Sequence, residues 1–277
     1  MIETPEWLRP IINTVYPPNN FIEYERWFYL NYDGDVSERE YLPIFFCAYW
    51  VNNNYGQDME AYARLVYWID QNISRDKKIF VVSQYDDGTK VNWQNLGIDC
   101  LEFNMSKTGE NKYPLPLIGQ PHPYVFNEEK KYLANFVGNI THPIREHAKT
   151  LQGKEGYYIS FDRHSPEEYC RIIAQSHFTL CYRGYGLNSF RISEALQYGS
   201  TPVYISDKFI EPHNIPFKEY GIKISENKLE FLYPSMLYQK EVGVMNEKME
   251  VGKIIYQEYY TYEGTRNKIL NHLKNVV

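Results

Sequence analysis

The sequence predicts an α/β protein with two halves and a helical C-terminal segment. Strand and helix patterns alternate along each half, and a proline-rich stretch separates the two. The chain has 277 residues, which is enough for two domains that each bury a core. Hydrophobic residues make up 43% and charged residues 23%, as in an ordinary soluble protein.

The first half contains the elements of one α/β domain. Residues 44–50 are continuously apolar and predict a buried strand, whereas 58–72 carry apolar residues at helical spacing. Residues 78–83 predict a second strand that ends in Gln84-Tyr-Asp-Asp-Gly88, and residues 98–103 predict a third. The apolar face assigned to the helix consists of Met59, Tyr62, Ala63, Val66, Tyr67 and Ile69.

A change in residue composition marks the boundary between the two halves. Pro114, Pro116, Pro121 and Pro123 follow one another closely, and this density blocks both helix and central strand. We therefore place a linker between residue 113 and about residue 134. The predicted domains are 1–130, 131–245 and a helical segment 246–277.

The second half repeats the alternation. Residues 132–138, 156–161 and 177–182 predict strands, and Thr141 is the expected N-cap of a helix that starts near Pro143. Ser165-Pro-Glu-Glu168 has the form of a capping box at the start of a helix. Residues 245–276 are mostly helical in pattern, with a break expected near Glu263-Gly264.

A glycine-rich turn between a strand and a helix is the strongest functional signal. Arg183-Gly-Tyr-Gly-Leu-Asn-Ser189 places a cation, two glycines and a serine where free N–H groups and the helix dipole attract an anion. The turn also approaches the dinucleotide pattern, with Asp207 where a ribose-binding acid would stand. Ser189 at the third glycine position and Arg183 before the turn count against an NAD-dependent dehydrogenase, which stays open as an alternative.

The helix after this turn has two distinct faces. Ile192, Ala195 and Leu196 form a face for the core, and Gly199 ends the helix. Arg191 and Glu194 lie on another face. They form either a solvated ion pair worth a few tenths of a kcal/mol, or a site at which Glu194 binds ribose while a diphosphate lies at the helix start.

Bulk properties exclude several classes of function. The net charge of −6 argues against a nucleic-acid partner. The cysteines form no C-x-x-C pair and no histidine cluster accompanies them, so we expect no metal site and free thiols in a reducing compartment. No signal peptide or membrane span is expected, which favours a cytoplasmic location. The oligomeric state is not predicted.

The residues from about 132 to 225 resemble the exostosin family of glycosyltransferases. The resemblance rests on Arg183-Gly, Ser189-Phe-Arg, Glu194-Ala-Leu, Gly199, Pro202-Val, Ser206-Asp and Pro216-Phe, and upstream on Phe136-Val-Gly and Arg145. It implies a GT-B fold, in which two Rossmann-like domains face a cleft and C-terminal helices pack back toward the N-terminal domain. It also implies an inverting, metal-independent transfer from a UDP-sugar to a glycan or lipid-linked acceptor, with no further cofactor.

The resemblance assigns the donor site residue by residue. Arg145 and Arg183 would bind the diphosphate together with Ser189, and Glu194 would bind ribose. Gly138 and Asn139 would let their loop approach the donor. The full set of expected donor-binding residues is Gly138, Asn139, Arg145, Arg183, Gly184, Tyr185, Gly186, Ser189, Arg191 and Glu194.

The catalytic base is expected in the N-terminal half. Asp86 and Asp87 follow a predicted strand and resemble the D-G that the family carries there; Asp86 is preferred. The same dipeptide also suits a plain turn, and His122, His164 and Glu211 are weaker candidates. A catalytically silent nucleotide-sugar or glycan binder is the alternative from another functional class.

Overall fold

The computed structural model describes residues 1–13, 23–34, 37–105 and 109–275. The chain forms two compact units. Unit 1 combines Met1–Gln120 with Tyr262–Val277, and unit 2 is Pro121–Thr261. The first unit therefore contains both ends of the chain, and the second lies between them in sequence.

Unit 1 is built on a parallel sheet. Among its described residues the sheet has four strands in the order β1-β2-β3-β4. The strands are β1 (Glu40–Tyr41), β2 (Lys78–Ser83), β3 (Asp99–Asn104) and β4 (Lys112–Pro114), and the first helices are α1 (Tyr24–Leu30), α2 (Phe46–Asn52) and α3 (Met59–Asn72). The predictions of a helix over 58–72 and of strands over 78–83 and 98–103 are confirmed.

Strand β2 is apolar from Ile79 to Val82 because both faces of the sheet are covered there. Ile79 and Val81 belong to the core that also holds the buried residues of α3. Phe80 lies on the opposite face, since neighbouring side chains of a strand alternate. Its ring centroid is 6.0 Å from that of Phe103 and 6.4 Å from that of Phe28.

Two predictions in this unit are wrong in detail. Residues 44–50 form no strand, because most of this run belongs to α2, whose Ala48 and Trp50 are buried. A short helix that is buried on most sides has the same apolar sequence as a buried strand. Helix α3 buries Ala61, Leu65 and Ile69 at intervals of four residues. Of the face assigned from the sequence, Met59 and Tyr67 are exposed.

Unit 2 contains a second parallel sheet. Within 121–261, all of which the structure describes, five strands follow the order β6-β5-β7-β8-β9. They are β5 (Tyr132–Val137), β6 (Tyr157–Ser160), β7 (Ser176–Tyr182), β8 (Thr201–Ile205) and β9 (Ile222–Ile224), with helices α4 (Pro166–Ala174), α5 (Phe190–Gln197), α6 (Leu232–Glu241) and α7 (Val244–Ile255). The predicted fold class, two Rossmann-like α/β domains, is confirmed.

The caps of unit 2 follow the sequence with one exception. Ser165 caps α4 by accepting a hydrogen bond from the Glu168 N–H at 3.1 Å, as predicted. The helix that begins at Pro143 is a 3₁₀-helix capped by His142, whose Nδ1 accepts from the Ile144 N–H at 3.3 Å. The prediction of Thr141 as this cap is wrong by one residue.

The C-terminal helices divide between the two units. Helix α7 packs on α5 and β8 in unit 2 and runs into a π-helical turn at Tyr256–Tyr260. The chain is extended at Thr261, and α8 (Tyr262–Asn275) then packs against α1 in unit 1. The helical break thus lies at 261 rather than at 263–264. None of the described helices has the length and hydropathy needed to cross a membrane.

A buried carboxylate connects three elements of unit 1. Glu25 of α1 is 1% exposed. Its Oε1 accepts hydrogen bonds from the N–H of Gln84, after β2, at 2.5 Å and from the N–H of Cys47, in the first turn of α2, at 3.1 Å. Burial raises the pKa of Glu25 from 4.5 to about 8, although both N–H groups oppose the shift.

This carboxylate makes stability depend on pH. Between pH 4.5 and about 8 the folded chain retains a proton that the unfolded chain releases. Rising pH in this window therefore favours unfolding, by on the order of 5 kcal/mol in total. Glu25→Gln keeps an acceptor for both N–H groups and should remove this loss. Denaturant unfolding of the wild type and of Glu25→Gln between pH 5 and 8 measures this difference. If the free energy of unfolding depends on pH in the same way in both proteins, the prediction is wrong.

Candidate functional site

The sheet of unit 2 has a topological switch point between β5 and β7. Strand β6 lies on one side of β5 and β7 on the other, so the connections leave these two strands in opposite directions. Ligands of open parallel sheets bind in the crevice at such a point, beyond the carboxyl ends of the strands. Gly138 and Asn139 directly follow β5, and the loop from Arg183 to Ser189 follows β7. The structure therefore brings these predicted donor residues together at one edge.

Arg145 holds the two loops at this crevice. Its guanidinium donates from Nε to the Arg183 carbonyl at 3.0 Å and from Nη1 to the Asn139 carbonyl at 2.9 Å. A longer bond of 3.4 Å joins Nη2 to the Tyr182 carbonyl. Arg145 is 6% exposed. It is thus a buried cation beneath the loops, and direct binding of a diphosphate by Arg145 stays a prediction.

Arg191 explains why residue 138 is a glycine. The Arg191 guanidinium donates from Nη2 to the Val137 carbonyl at 2.7 Å. A Cβ atom on Gly138 would lie 1.9 Å from that nitrogen, and the φ of Gly138 is +154°. The sequence predicts a glycine that lets its loop approach a donor, but the close neighbour of this glycine in the structure is Arg191. Arg191 does not form the surface ion pair with Glu194 that the sequence left open.

The glycine-rich loop carries a cation beside the start of α5. The Arg183 Nη2 donates to the Tyr185 carbonyl at 3.4 Å, and its buried Nε has no hydrogen-bond partner among the described residues. Gly184 lies over Arg145, since a Cβ there would be 3.2 Å from Nη2. Tyr185 is exposed, and Gly186 stands between it and the buried Asn188-Ser189.

Ser189 occupies the N-cap position of α5 without capping it. Its backbone is extended, but its side chain makes no capping hydrogen bond. A serine hydroxyl that is not used as a cap remains available to an anion at the helix start. The Tyr204 hydroxyl donates to the Leu187 carbonyl at 2.8 Å and so supports the loop from β8.

Two arginines place positive charge beside His142 at the crevice. Partial burial and the charge of Arg183 lower the pKa of His142, with Glu226 opposing and Arg145 adding to the shift. His142 is therefore neutral at neutral pH, and the cations near it are the two arginines. This arrangement suits a ligand that carries negative charge.

Glu194 is an ionised carboxylate at the same helix. Burial alone would raise its pKa, but the contacts with His122 and Tyr169 and the charge of Arg191 lower it. Tyr169 donates to Oε2 at 2.5 Å, and the His122 Nε2 lies 3.5 Å from Oε1. The sequence predicts Glu194 as a donor-binding residue but gives no sign of Tyr169, which lies on α4.

Asp207 is engaged elsewhere in unit 2. Its Oδ1 accepts a hydrogen bond from the N–H of Glu226 at 2.8 Å, which joins the ends of β8 and β9. The weaker candidates also have structural partners. His164 contacts the Ser160 hydroxyl at 2.9 Å and Glu168 at 3.2 Å, and Glu211 accepts from the Phe217 N–H at 2.9 Å.

The candidate bases lie in unit 1, in a turn after β2. The Gly88 N–H donates to the Tyr85 carbonyl at 2.8 Å, and Gly88 has a φ of +69°. Asp86 is half-buried, whereas Asp87 is exposed and lines a cavity of about 470 Å³. The turn expected for this dipeptide is therefore present, and the catalytic role of either aspartate stays a prediction. Glu25, which accepts a hydrogen bond from the N–H of Gln84 just before this turn, was not identified from the sequence.

The described residues gather no metal-binding cluster. Across 1–13, 23–34, 37–105 and 109–275, no group of three or more His, Cys, Asp or Glu side chains could hold a metal ion. The cysteines are all free thiols: Cys47, Cys100, Cys170 and Cys181.

The chain belongs to the class of doubly wound α/β proteins, with a cationic loop and an ionised carboxylate at the switch point of its second sheet. The family model of the Exostosin GT47 domain matches residues 64–237. Since this match covers more than half of the chain, the protein belongs to the exostosin GT47 family.

The individual proteins to which this chain is similar share 26% of its residues or fewer in the matched regions. The Exostosin-1 homolog of Caenorhabditis elegans is 26% identical over 222 residues, and the match covers 63% of this chain and 56% of that protein. The structure of TarM is 11% identical, covers 77% of this chain and 58% of its own, and has a TM-score of 0.43. A pneumococcal O-GlcNAc transferase, GtfA, in complex with UDP and GlcNAc is 9% identical, covers 75% and 54%, and has a TM-score of 0.45. The chain spans little more than half the length of these relatives.

Proposed function

We propose that this protein is a glycosyltransferase that moves a sugar from a nucleotide-sugar donor to a hydroxyl group of a glycan or lipid-linked acceptor. One observation carries the proposal: in a chain of the exostosin GT47 family, the Arg183–Ser189 loop and the ionised Glu194 lie together at the switch point of unit 2. Family membership also argues against the dehydrogenase alternative, as does the engagement of Asp207 with Glu226.

The donor is proposed to be a UDP-sugar held in unit 2. Its diphosphate would lie against Arg183 and the start of α5, where the Ser189 hydroxyl and the helix dipole favour negative charge. Its ribose hydroxyls would donate to Glu194, which accepts hydrogen bonds because it is ionised. The Arg145 guanidinium would hold the loops and add positive charge from beneath.

The proposed chemistry is an inverting displacement. The acceptor hydroxyl attacks the anomeric carbon and loses its proton to Asp86 or Asp87, while the bond to the diphosphate oxygen breaks on the opposite side. Negative charge grows on the leaving nucleotide, and arginine cations together with the helix start stabilise it without a metal ion. Each charge-assisted hydrogen bond contributes about 1.5 to 3 kcal/mol.

Release of free nucleotide from a panel of UDP-, GDP- and CMP-sugars tests the proposal. We expect release from a UDP-sugar, a loss of about 10²- to 10³-fold in kcat/KM for Arg183→Ala, and a smaller loss for Glu194→Gln. Asp207→Asn is the matched control, because it keeps an acceptor for the Glu226 N–H and should leave turnover unchanged. Absence of release from every donor would refute the enzymatic function.

The silent binder gives a different result in the same experiments. UDP would bind and stabilise the fold, yet no donor would be consumed. Asp86→Asn and Asp87→Asn would then leave every measured property unchanged. Calorimetric titration with UDP, carried out beside the release assay, separates the two functions.

A further inference from the structure

The backbone of His122 is fastened to the helix that carries Glu194. The His122 N–H donates to Oε1 of Gln197 at 3.2 Å, and the Gln197 Nε2 donates to the His122 carbonyl at 2.8 Å. Gln197 lies on α5, three residues after Glu194. Two bonds to one side-chain amide fix both the position and the direction of the short segment between Pro121 and Pro123. The imidazole of His122 is thereby held beside the carboxylate.

A second helix reaches the same carboxylate from another direction. Tyr169 lies on α4, which packs against α5. Its hydroxyl donates to Oε2 of Glu194, whereas His122 faces Oε1, so each oxygen has its own neighbour. Burial raises the pKa of Tyr169 well above its usual value, so the phenol keeps the proton that it donates.

These contacts use only part of the capacity of the carboxylate. An ionised carboxyl group offers about four acceptor positions on its two oxygens. Tyr169 and His122 occupy about one position on each, which leaves one on each oxygen. The Glu194 side chain retains 21% of its accessible surface, so it is not fully enclosed by the protein. Two neighbouring hydroxyl groups, as on a ribose, match two adjacent acceptors of this kind.

We propose that His122 and Tyr169 are positioning residues, which hold Glu194 in the orientation that accepts hydrogen bonds from both ribose hydroxyls of a nucleoside diphosphate. This inference rests on the donor site proposed above and extends it to two residues outside the loop. A glutamate side chain has three rotatable bonds, so without these contacts the orientation of the Glu194 carboxylate would have to be fixed anew at each binding event. His122 and Tyr169 act through Glu194 and do not themselves contact the nucleotide.

Calorimetric titration with UDP, 2′-deoxy-UDP and 3′-deoxy-UDP tests the inference. The wild type should prefer UDP over each deoxy analogue by about 10-fold or more. Tyr169→Phe should weaken the binding of UDP by about 5- to 10-fold and leave the affinity for the deoxy analogues nearly unchanged, so that the preference for UDP is lost. His122→Ala should act in the same direction, and His122→Gln should restore part of the preference through its amide donor. Both His122 variants keep the backbone bonds to Gln197.

Tyr132→Phe is the matched control, since it removes a hydroxyl at the amino end of β5 in the same unit. If Tyr169→Phe weakens the binding of all three ligands equally, Tyr169 has a merely structural role and the inference is overturned. A wild type that binds UDP and the deoxy analogues with equal affinity would overturn it as well. Donor turnover without ribose preference would remove this inference alone. Ribose preference without turnover would remove the enzymatic proposal alone, and absence of nucleotide binding would remove both.

Discussion

Replacing Asp86 with asparagine is expected to lower kcat by about 10²- to 10⁴-fold, because the acceptor hydroxyl would lose its proton acceptor. Asp86 is half-buried in the turn that follows β2, and the substitution preserves its size. The turn that carries it is closed by a backbone bond from Gly88 to Tyr85, which the change does not touch. Steady-state transfer from the donor identified in the release panel measures the effect.

Asp87→Asn is the natural comparison for this variant. The two residues share one turn, but Asp87 is exposed and lines the cavity of unit 1. A large loss in one variant and a small loss in the other identifies the base and assigns the second carboxylate to a different role. If both variants keep the wild-type kcat and its pH profile, neither aspartate is the base.

Substitution of Arg145 by lysine is expected to reduce both stability and donor binding. Arg145 is a buried fork that spans carbonyls on both sides of the switch point, at Asn139, Tyr182 and Arg183. A lysine keeps the charge but cannot reach these carbonyls together. We expect a loss of about 3 kcal/mol in the free energy of unfolding and at least about 10-fold weaker UDP binding.

Arg171→Lys serves as the control for this change. Arg171 is half-exposed on α4 and pairs with Glu167 at 2.9 Å, which is a surface ion pair worth about 0.5 kcal/mol. Denaturant unfolding and calorimetric titration on both variants give the comparison. Arg145→Lys with normal stability and normal UDP affinity would contradict the role assigned to the clamp.

The strands were the easiest elements to predict from the sequence. Residues 78–83 and 132–137 lie in sheets that are covered on both faces, so their apolar runs are long and bounded by turn residues. The prediction of a strand over residues 44–50 is wrong because most of this run belongs to α2. A helix that is buried on most sides has no polar face, so its sequence shows no helical period. Helix α3 carries apolar residues on more than one side, and the sequence did not reveal that Ala61, Leu65 and Ile69 form the buried side.

The candidate site was predictable only where its residues are close in sequence. The loop from Arg183 to Ser189 and the carboxylate of Glu194 belong to one strand-turn-helix unit, whose order places them together. Tyr169 and His122 reach Glu194 from 25 and 72 residues away, and their contacts depend on how α4 and the segment before β5 pack. The steric reason for Gly138 likewise depends on Arg191, which lies on α5.

The chain returns to unit 1 at Tyr262, and this determines the order in which the two units can complete their folds during synthesis. Tyr262 covers Tyr24 at 5.2 Å and Trp27 at 5.3 Å between ring centroids, so α8 closes the aromatic side of the first sheet. On the ribosome, the N-terminal segment emerges first but must wait for α8 to be synthesised. Unit 2 is contiguous and emerges in full before then. Unit 1, whose first part is synthesised before unit 2, is therefore completed after it.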